Sequence, residues 1–419
     1  MIDAPATLRR LFDAAVGACH PARVVAAALP ERPSGRVIVV GAGKAAAAMA
    51  TAVEEAWGPP LEGLVVTRYG HGMPTRTIDV IEAGHPLPDE AGAGAAARVL
   101  ASMSGLTERD FVLALLSGGG SALLSAPLPP LSLAQKQAIT RALVLSSASI
   151  REINCVRKHL SAIKGGRLAA AAYPARLLTL AISDVAGDDA STIASGPTVG
   201  DPTTQRDALD ILAKYEVALP DEARRVLSDS ACESIKSADP RLARAEFQII
   251  ARGADALAAA SDEAHRLGIE TKILGVNVEG DARVVARTHA EIARHTHATG
   301  RPLVLLSGGE LTLNVSGAGR GGPNREYLLA LLLALEGAAN IWALAADTDG
   351  IDGSDDVAGA WIGPEAMSRA RALGLDPRAY QQANDSGRFF ASLGQDIVTG
   401  PTRTNVNDFR ALLIMPDAV

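Results

Sequence analysis

The stretch VIVVGAGKAAAAMA, Val37 to Ala50, decides the fold. Four β-branched residues, Val37 to Val40, are followed by two glycines and then by an alanine-rich run. A strand, a glycine turn and a helix in that order open a parallel α/β sheet. Gly41, Gly43 and Ala46 also satisfy the loose G-x-G-x-x-G/A pattern of dinucleotide sites. That pattern fits an ordinary tight turn equally well. The acidic residue that would hold a ribose after the second strand is missing, and Thr67 and Arg68 stand there instead. Arg68 suits a 2′-phosphate and keeps an NADP reading open. Lys44 sits in the turn itself, where helix N–H groups favour anions, and offers a point charge for phosphate or carboxylate. The spacing of a Walker A loop is absent.

Outward from this unit, short β-branched runs alternate with helical segments. Strands are predicted at 36–40, 63–67, 111–116 and 176–183, with helices at 44–56, 90–102 and 132–146 between them. The text turns helical and charged around Pro220 to Pro240 and then restarts, with strands at 246–251, 270–274, 302–307, 341–346 and 410–415 and helices at 255–267, 281–297 and 324–336. A boundary is expected near 235–240, with a doubly wound sheet on each side. Ligands then belong at the carboxyl ends of the strands.

Composition narrows the function. A chain of 419 residues exceeds one ordinary core. An aromatic share of 3% argues against stacking platforms for bases or sugars. A formal charge of −7 without Lys/Arg runs argues against nucleic acid and anionic membranes. The three cysteines, Cys19, Cys155 and Cys232, are odd in number and outside any CxxC spacing, which reads as reduced cytosolic thiols without a zinc site. The N-terminal stretch lacks a signal-peptide pattern, and the apolar region 328–346 is too interrupted to span a membrane, so a cytoplasmic protein is expected.

Two apolar runs end alike, LALLSGGGSALLS from Leu113 and LVLLSGGELTLNV from Leu303. Bare backbone donors at a strand's carboxyl end make anion nests, so Ser117, Gly118, Gly119, Gly120 and Ser121 are expected to bind phosphate or substrate, as are Ser307, Gly308, Gly309 and Glu310. Arg157 and Lys164 lie seven apart and share a helix face if that helix continues, so Arg157 and Lys158 are candidate anion clamps; a solvated amphipathic face explains the spacing too. Asp184, Asp188 and Asp189 follow a strand and are hard oxygen ligands suited to Mg²⁺, or else a turn. Asp347, Asp349, Asp352 and Asp355 present the same choice. Arg320 and Arg325 flank a helix start and oppose its dipole unless an anion sits between them. Thr402, Thr404, Asn405, Asn407 and Asp408 form a polar loop fit to orient a small polyol.

In chain order, VGAGKAAAAMA, GHPLPDE, LLSGGGSALL, VRKHLSAIKGGRLA, SDVAGDDASTIASGPTVGDPTT, GRGGPNREYLLAL, ADTDGIDGSDDVAGA and TGPTRTNVNDF resemble the class II glycerate 2-kinases with a MOFRL-type C-terminal domain. The resemblance covers essentially the whole chain. It implies two doubly wound, Rossmann-like α/β domains with an inter-domain cleft: a kinase domain over 1–238 and a MOFRL-type domain over 239–419. It also implies ATP and Mg²⁺ as cofactors and phosphorylation of D-glycerate to 2-phosphoglycerate. Lys44 and Arg325 take the places of the family's essential lysine and arginine, with Arg320 as the competing neighbour. On this basis Gly43, Asn324, Thr402, Asn405 and Asn407 join the substrate contacts. Mg²⁺ falls to Asp184 or Asp189 with an aspartate such as Asp347, and Asp189 is the candidate proton acceptor. Glycine is expected at 403, where this chain has arginine. The expected partners are glycerate and a nucleotide, with no nucleic acid or membrane, and the protein is a monomer or homodimer. Family members also carry the label hydroxypyruvate reductase, so an NAD(P)H-dependent reductase is the alternative. A non-catalytic sensor of a phosphorylated sugar acid is a third reading.

Overall fold

The computed structural model describes all residues except 1, 297, 299, 316, 354 and 417–419. His297 at the end of a predicted helix, and Ser354 within the ADTDGIDGSDDVAGA motif, lie outside the described residues. The chain divides into two compact units, one of Pro21–Ile250 and one of Met1–His20 with Ala251–Val419.

The first unit is built on six strands: β1 (Val37–Ala42), β2 (Glu62–Arg68), β3 (Asp79–Ala83), β4 (Phe111–Leu116), β5 (Arg176–Ile182) and β6 (Ala245–Ala251), in the order β3-β2-β1-β4-β5-β6. β1 runs parallel to β2 and β4, β2 to β3, and β4 to β5. Every residue of β1 and β4 is buried, as strands covered on both faces require. The connecting helices begin where the sequence places caps: Asp89 accepts from the Gly92 N–H, and Ser132 forms a capping box with Gln135. Strand order reverses between β1 and β4, which makes their carboxyl edge the switch point where such sheets bind ligands.

The second unit contains β7 (Glu270–Gly275), β8 (Gly280–Asp281), β9 (Leu303–Gly309), β10 (Leu311–Thr312), β11 (Ile341–Asp347), β12 (Gly359–Ile362), β13 (Asp396–Ile397) and β14 (Asp408–Ile414). Its main sheet has the order β13-β12-β11-β14-β9-β7. Here the α/β reading holds but the parallel one does not. β7 and β9 are parallel, whereas β14 opposes both β9 and β11, and β12 opposes β11 and β13. Loops without a crossover helix join β11 to β12 and β13 to β14. A parallel return needs a crossover of a dozen or more residues, usually a helix, so these strands return antiparallel.

Two segments sit away from the half in which sequence reading put them. β6, counted with the second half, extends the first sheet beside β5. The N-terminal helix Ala4–Ala18 belongs to the second unit. Leu8, Leu11, Phe12 and Ala15 form its buried face, and Phe12 meets Phe409 of β14 with ring centroids 5.8 Å apart. Leu305, Ala343, Ala345, Leu412 and Ile414 share a core with helices Ala282–His295 and Pro323–Leu335. Phe409 alternates with Leu412 and Ile414, so helix Ala4–Ala18 covers the opposite face. No helix among the described residues is long and apolar enough to cross a membrane.

Phe12 is fully buried, and Phe12→Ala should cost about 3–5 kcal/mol. In a Trp57→Phe background the remaining tryptophans, Trp342 and Trp361, report the second unit alone. Their urea transition is expected to move to lower midpoint in the Phe12→Ala variant. An unmoved transition would remove the N-terminal helix from that unit's core.

Candidate active site

The switch point brings the loop after β1 against the loop after β4. Lys44 N–H donates to Gly118 O at 2.8 Å, and Ala45 N–H to Ser117 Oγ at 3.0 Å. Gly43 N–H donates to Val66 O at 3.0 Å, and Ala46 N–H to Gly43 O at 3.1 Å. Gly43 has φ 142°, and a Cβ there would lie 2.1 Å from Ser117 Oγ, so only glycine permits the approach. The donors of this turn are therefore spent inside the protein. A pyrophosphate seated on the turn would find none of these four donors, which weakens the dinucleotide reading.

What the turn does present is the Lys44 side chain. A Cβ added at Gly119 would stand 3.5 Å from Lys44 Cγ and 3.0 Å from the His85 ring. Lys44 and His85 thus lie against the Ser117–Gly120 loop, and the Gly118 and Gly119 N–H groups have no partner among the described residues. Ser121 Oγ is 2.6 Å from Ser195 Oγ, which donates to Asn154 Oδ1 at 3.4 Å. Ser195 is buried, and it follows Ala194 in the left-handed region, at φ 61° and 50°. Such backbone costs on the order of 1–3 kcal/mol per residue and is retained where surroundings enforce it. Ser195 and Asn154 escaped sequence reading, because a left-handed turn at non-glycine positions leaves no compositional trace.

The basic segment divides by role. Lys158 is buried with Asp201 at 2.6 Å, and the Thr203 hydroxyl donates to the same carboxylate oxygen at 2.7 Å. It is a structural ion pair and not an anion clamp. His159 is packed between Cys155 O and Glu233. The helix carrying Arg157 ends at His159, so Arg157 and Lys164 do not share one helix. They nevertheless line one pocket, together with Ser121 and Lys136. Lys136 could have been found in the sequence as a lysine on the apolar stripe Leu133–Ile139–Leu143.

Among the described residues no group of three or more His, Cys, Asp or Glu side chains could hold a metal ion. Asp189 accepts from Ser191 N–H at 2.9 Å and from the Ser191 and Thr192 hydroxyls at 3.0 Å. Burial works against it, but these bonds hold its carboxyl below the usual range. Asp184 stands two residues beyond β5, and Asp347 ends β11 in the other unit. Isolated carboxylates fit a Mg²⁺ ion that arrives with nucleotide phosphates, since that ion needs only one or two.

In the second unit the suspected anion at the helix start proves to be the protein's own. Asp352 accepts from the Asn324 and Arg325 N–H groups at 2.9 and 3.1 Å, capping helix Pro323–Leu335. It also accepts from Arg325 Nε at 3.0 Å, and Asp355 accepts from Arg325 Nη2 at 3.0 Å and Arg320 Nη2 at 2.8 Å. Burial pushes the Asp352 carboxyl up while Arg325 opposes it. Arg325 is buried, whereas the Arg320 side chain is 64% exposed.

The second glycine run is also not a nest. Ser307, Gly308 and Gly309 lie within β9, and Arg410 donates to Ser307 Oγ and to the Gly308 and Gly309 carbonyls. Glu310 is exposed just beyond the strand. Asn324 Nδ2 donates to Asp408 Oδ1 at 2.7 Å. The polar loop interlocks with the one after β11: Thr402 bonds Thr348 O, and Thr348 Oγ1 donates to Asn407 O at 2.6 Å. Asn407 N–H donates to Asn405 Oδ1 at 3.3 Å. Arg403 has φ 68°, a conformation natural to glycine, which accounts for the glycine expected there.

The fold is thus α/β in both units, with the half-buried Lys44 at the first sheet's switch point. Residues 7–228 match a family described as a domain of unknown function (DUF4147), and residues 303–408 match the MOFRL family. A protein of Agrobacterium vitis carrying a provisional hydroxypyruvate reductase name is 51% identical, over 99% of this chain and 95% of its own. D-glycerate 2-kinase of Thermotoga maritima is 38% identical, over 98% of this chain and 99% of its own. A crystal structure of glycerate kinase from Thermotoga maritima superposes with TM-score 0.89 at 38% identity, again covering 98% and 99% of the two chains. The chain belongs to the class II glycerate kinase family.

Removing one partner of a buried pair costs about 3–5 kcal/mol, whereas an exposed pair is worth about 0–1 kcal/mol. Arg325→Met should therefore lower the thermal midpoint of the second unit sharply, and Arg320→Met should barely move it. Equal midpoints in the two variants, measured by circular dichroism, would contradict this division.

Proposed function

We propose that the protein transfers the γ-phosphoryl group of ATP to the 2-hydroxyl of D-glycerate, giving 2-phosphoglycerate and ADP with Mg²⁺. The observation that carries the reading is Lys44 held against the Ser117–Gly120 loop at the switch point, in a chain whose relatives include named glycerate 2-kinases. Phosphoryl transfer needs in-line positioning and neutralised charge more than covalent chemistry. Lys44 supplies the charge, and the Gly118 and Gly119 N–H groups supply fixed donors beside it. When bound with the nucleotide, Mg²⁺ would neutralise phosphate charge, with Asp184 as the carboxylate of this unit suited to it. Asp189, kept ionised by its hydrogen bonds, is the candidate acceptor for the hydroxyl proton.

Arg325 is given a positioning role. Through Asp352 and Asp355 it fixes the loop after β11 and sets the exposed Arg320 at its edge. A reductase would require a nicotinamide cofactor on the β1 turn, and the internal use of that turn's N–H groups argues against it.

The test is ADP release dependent on D-glycerate, with the phosphorylated carbon identified by ³¹P NMR. Oxidation of NADH or NADPH by hydroxypyruvate, without ADP release, would replace the kinase reading with the reductase one. A preorganised charge donor contributes roughly 3–4 kcal/mol to the transition state. Lys44→Ala is therefore expected to lower kcat by about two to three orders of magnitude at unchanged thermal midpoint, and near-normal turnover would exclude Lys44.

A further inference from the structure

Beside the Lys44 loop, the first unit buries a cluster of basic side chains that no carboxylate among the described residues pairs. Lys136 and Lys164 are 4% and 1% exposed, and Arg157 is half-buried, around one pocket. Lys136 Nζ has no hydrogen-bond partner among the described residues. The Arg157 guanidinium has none among the described residues, and Lys164 Nζ donates to Leu124 O. No carboxylate acts on Lys136 or Lys164: burial, with Arg157 and Arg167 nearby, brings Lys136 down to about 7, and burial with Lys136 and Arg157 lowers Lys164. Buried cations are ordinarily paired, so a cluster left unpaired is a cost that folding alone does not explain.

We propose that this pocket is the subsite for the acceptor's carboxylate, and that it makes the enzyme selective for small 2-hydroxy carboxylic acids. The proposal rests on the kinase reading and deepens it. Three features favour a carboxylate over a phosphate. The enclosed space is about 20 Å³, room for little more than one water-sized group. With Lys164 already bonded to a carbonyl, the basic groups left open are the Lys136 amine and the Arg157 guanidinium, a match for two carboxylate oxygens. The rest of the lining is neutral: Pro86, Pro88 and Leu133 are apolar, and Ser125, Gln137 and Thr140 carry no charge to match a phosphate dianion. Ser121 lines the pocket one residue after Gly120 and is held by Ser195, so it joins the pocket to the loop that carries Lys44. A hydroxy acid anchored by its carboxylate would extend along that loop.

The experiment is calorimetric titration of the full chain, wild type and Lys136→Met, with D-glycerate, inorganic phosphate and MgATP separately, alongside urea midpoints. A hydrogen bond to a charged group is worth about 1.5–3 kcal/mol, so Lys136→Met should weaken D-glycerate binding about 10- to 100-fold. MgATP affinity should stay unchanged, and stability should hold or rise because an unpaired buried charge is gone. Arg157→Met, at a half-exposed position, is expected to show the same selective loss and serves if the first variant misfolds. Unchanged D-glycerate affinity in both variants overturns the proposal, as does a loss confined to phosphate or MgATP. The two readings fail separately. Lys136-dependent binding of D-glycerate without ADP release defeats the kinase and keeps the subsite. Glycerate-dependent ADP release with the same KM in Lys136→Met keeps the kinase and defeats the subsite.

Discussion

The contact between Gly43 and Ser117 is the constraint on which the first unit's site depends. Two neighbouring parallel strands end in loops that diverge at a switch point, and here they are drawn back together. Ser117 Oγ holds the Ala45 N–H and Gly118 O holds the Lys44 N–H, an approach that leaves no room for a side chain at 43. The bonds use up the turn's own N–H groups and fix the root of Lys44 in one place. A flexible lysine on a rigid base then becomes the turn's contribution to chemistry.

The two units treat charge in opposite ways. In the second, each buried arginine meets carboxylates: Arg325 with Asp352 and Asp355, and Arg410 with Asp408. Such pairs fix loops around helix Pro323–Leu335 and cap it, a structural use of charge. In the first unit Lys158 is paired in the same way with Asp201, but its neighbours Lys136 and Arg157 are not paired. Stability favours filling every buried charge, so the exception marks where function has the stronger claim.

Strands with continuous apolar runs were legible in the sequence: FVLALL was located to the residue, and VIVV and RLLTLAI to within two or three. Among the strands that escaped, β3 is the half-polar DVIEA, exposed at its first residue, β12 is the four-residue GAWI, and β8, β10 and β13 span two residues each. Sheet membership was harder. β6 reads like the opening strand of a second domain, and only its pairing beside β5 shows otherwise. The site was legible as residue types and less so as roles. Lys44 and the Ser117–Ser121 loop were visible from spacing, but which cations are already paired depends on carboxylates distant in sequence. Asp352 lies 27 residues from Arg325, and Asp201 lies 43 from Lys158. No local pattern encodes either pairing.

The placement of helix Ala4–Ala18 has a consequence for synthesis. The helix is made before the whole of the first unit, and its partner strand β14 well after it. At about 5–20 residues per second, the interval is on the order of tens of seconds, long enough for the first unit to fold in between. During that time the face bearing Leu8, Leu11 and Phe12 has no sheet to cover. The second unit therefore cannot mature from one continuous segment; it closes only when a helix made before the first unit meets a strand made after it.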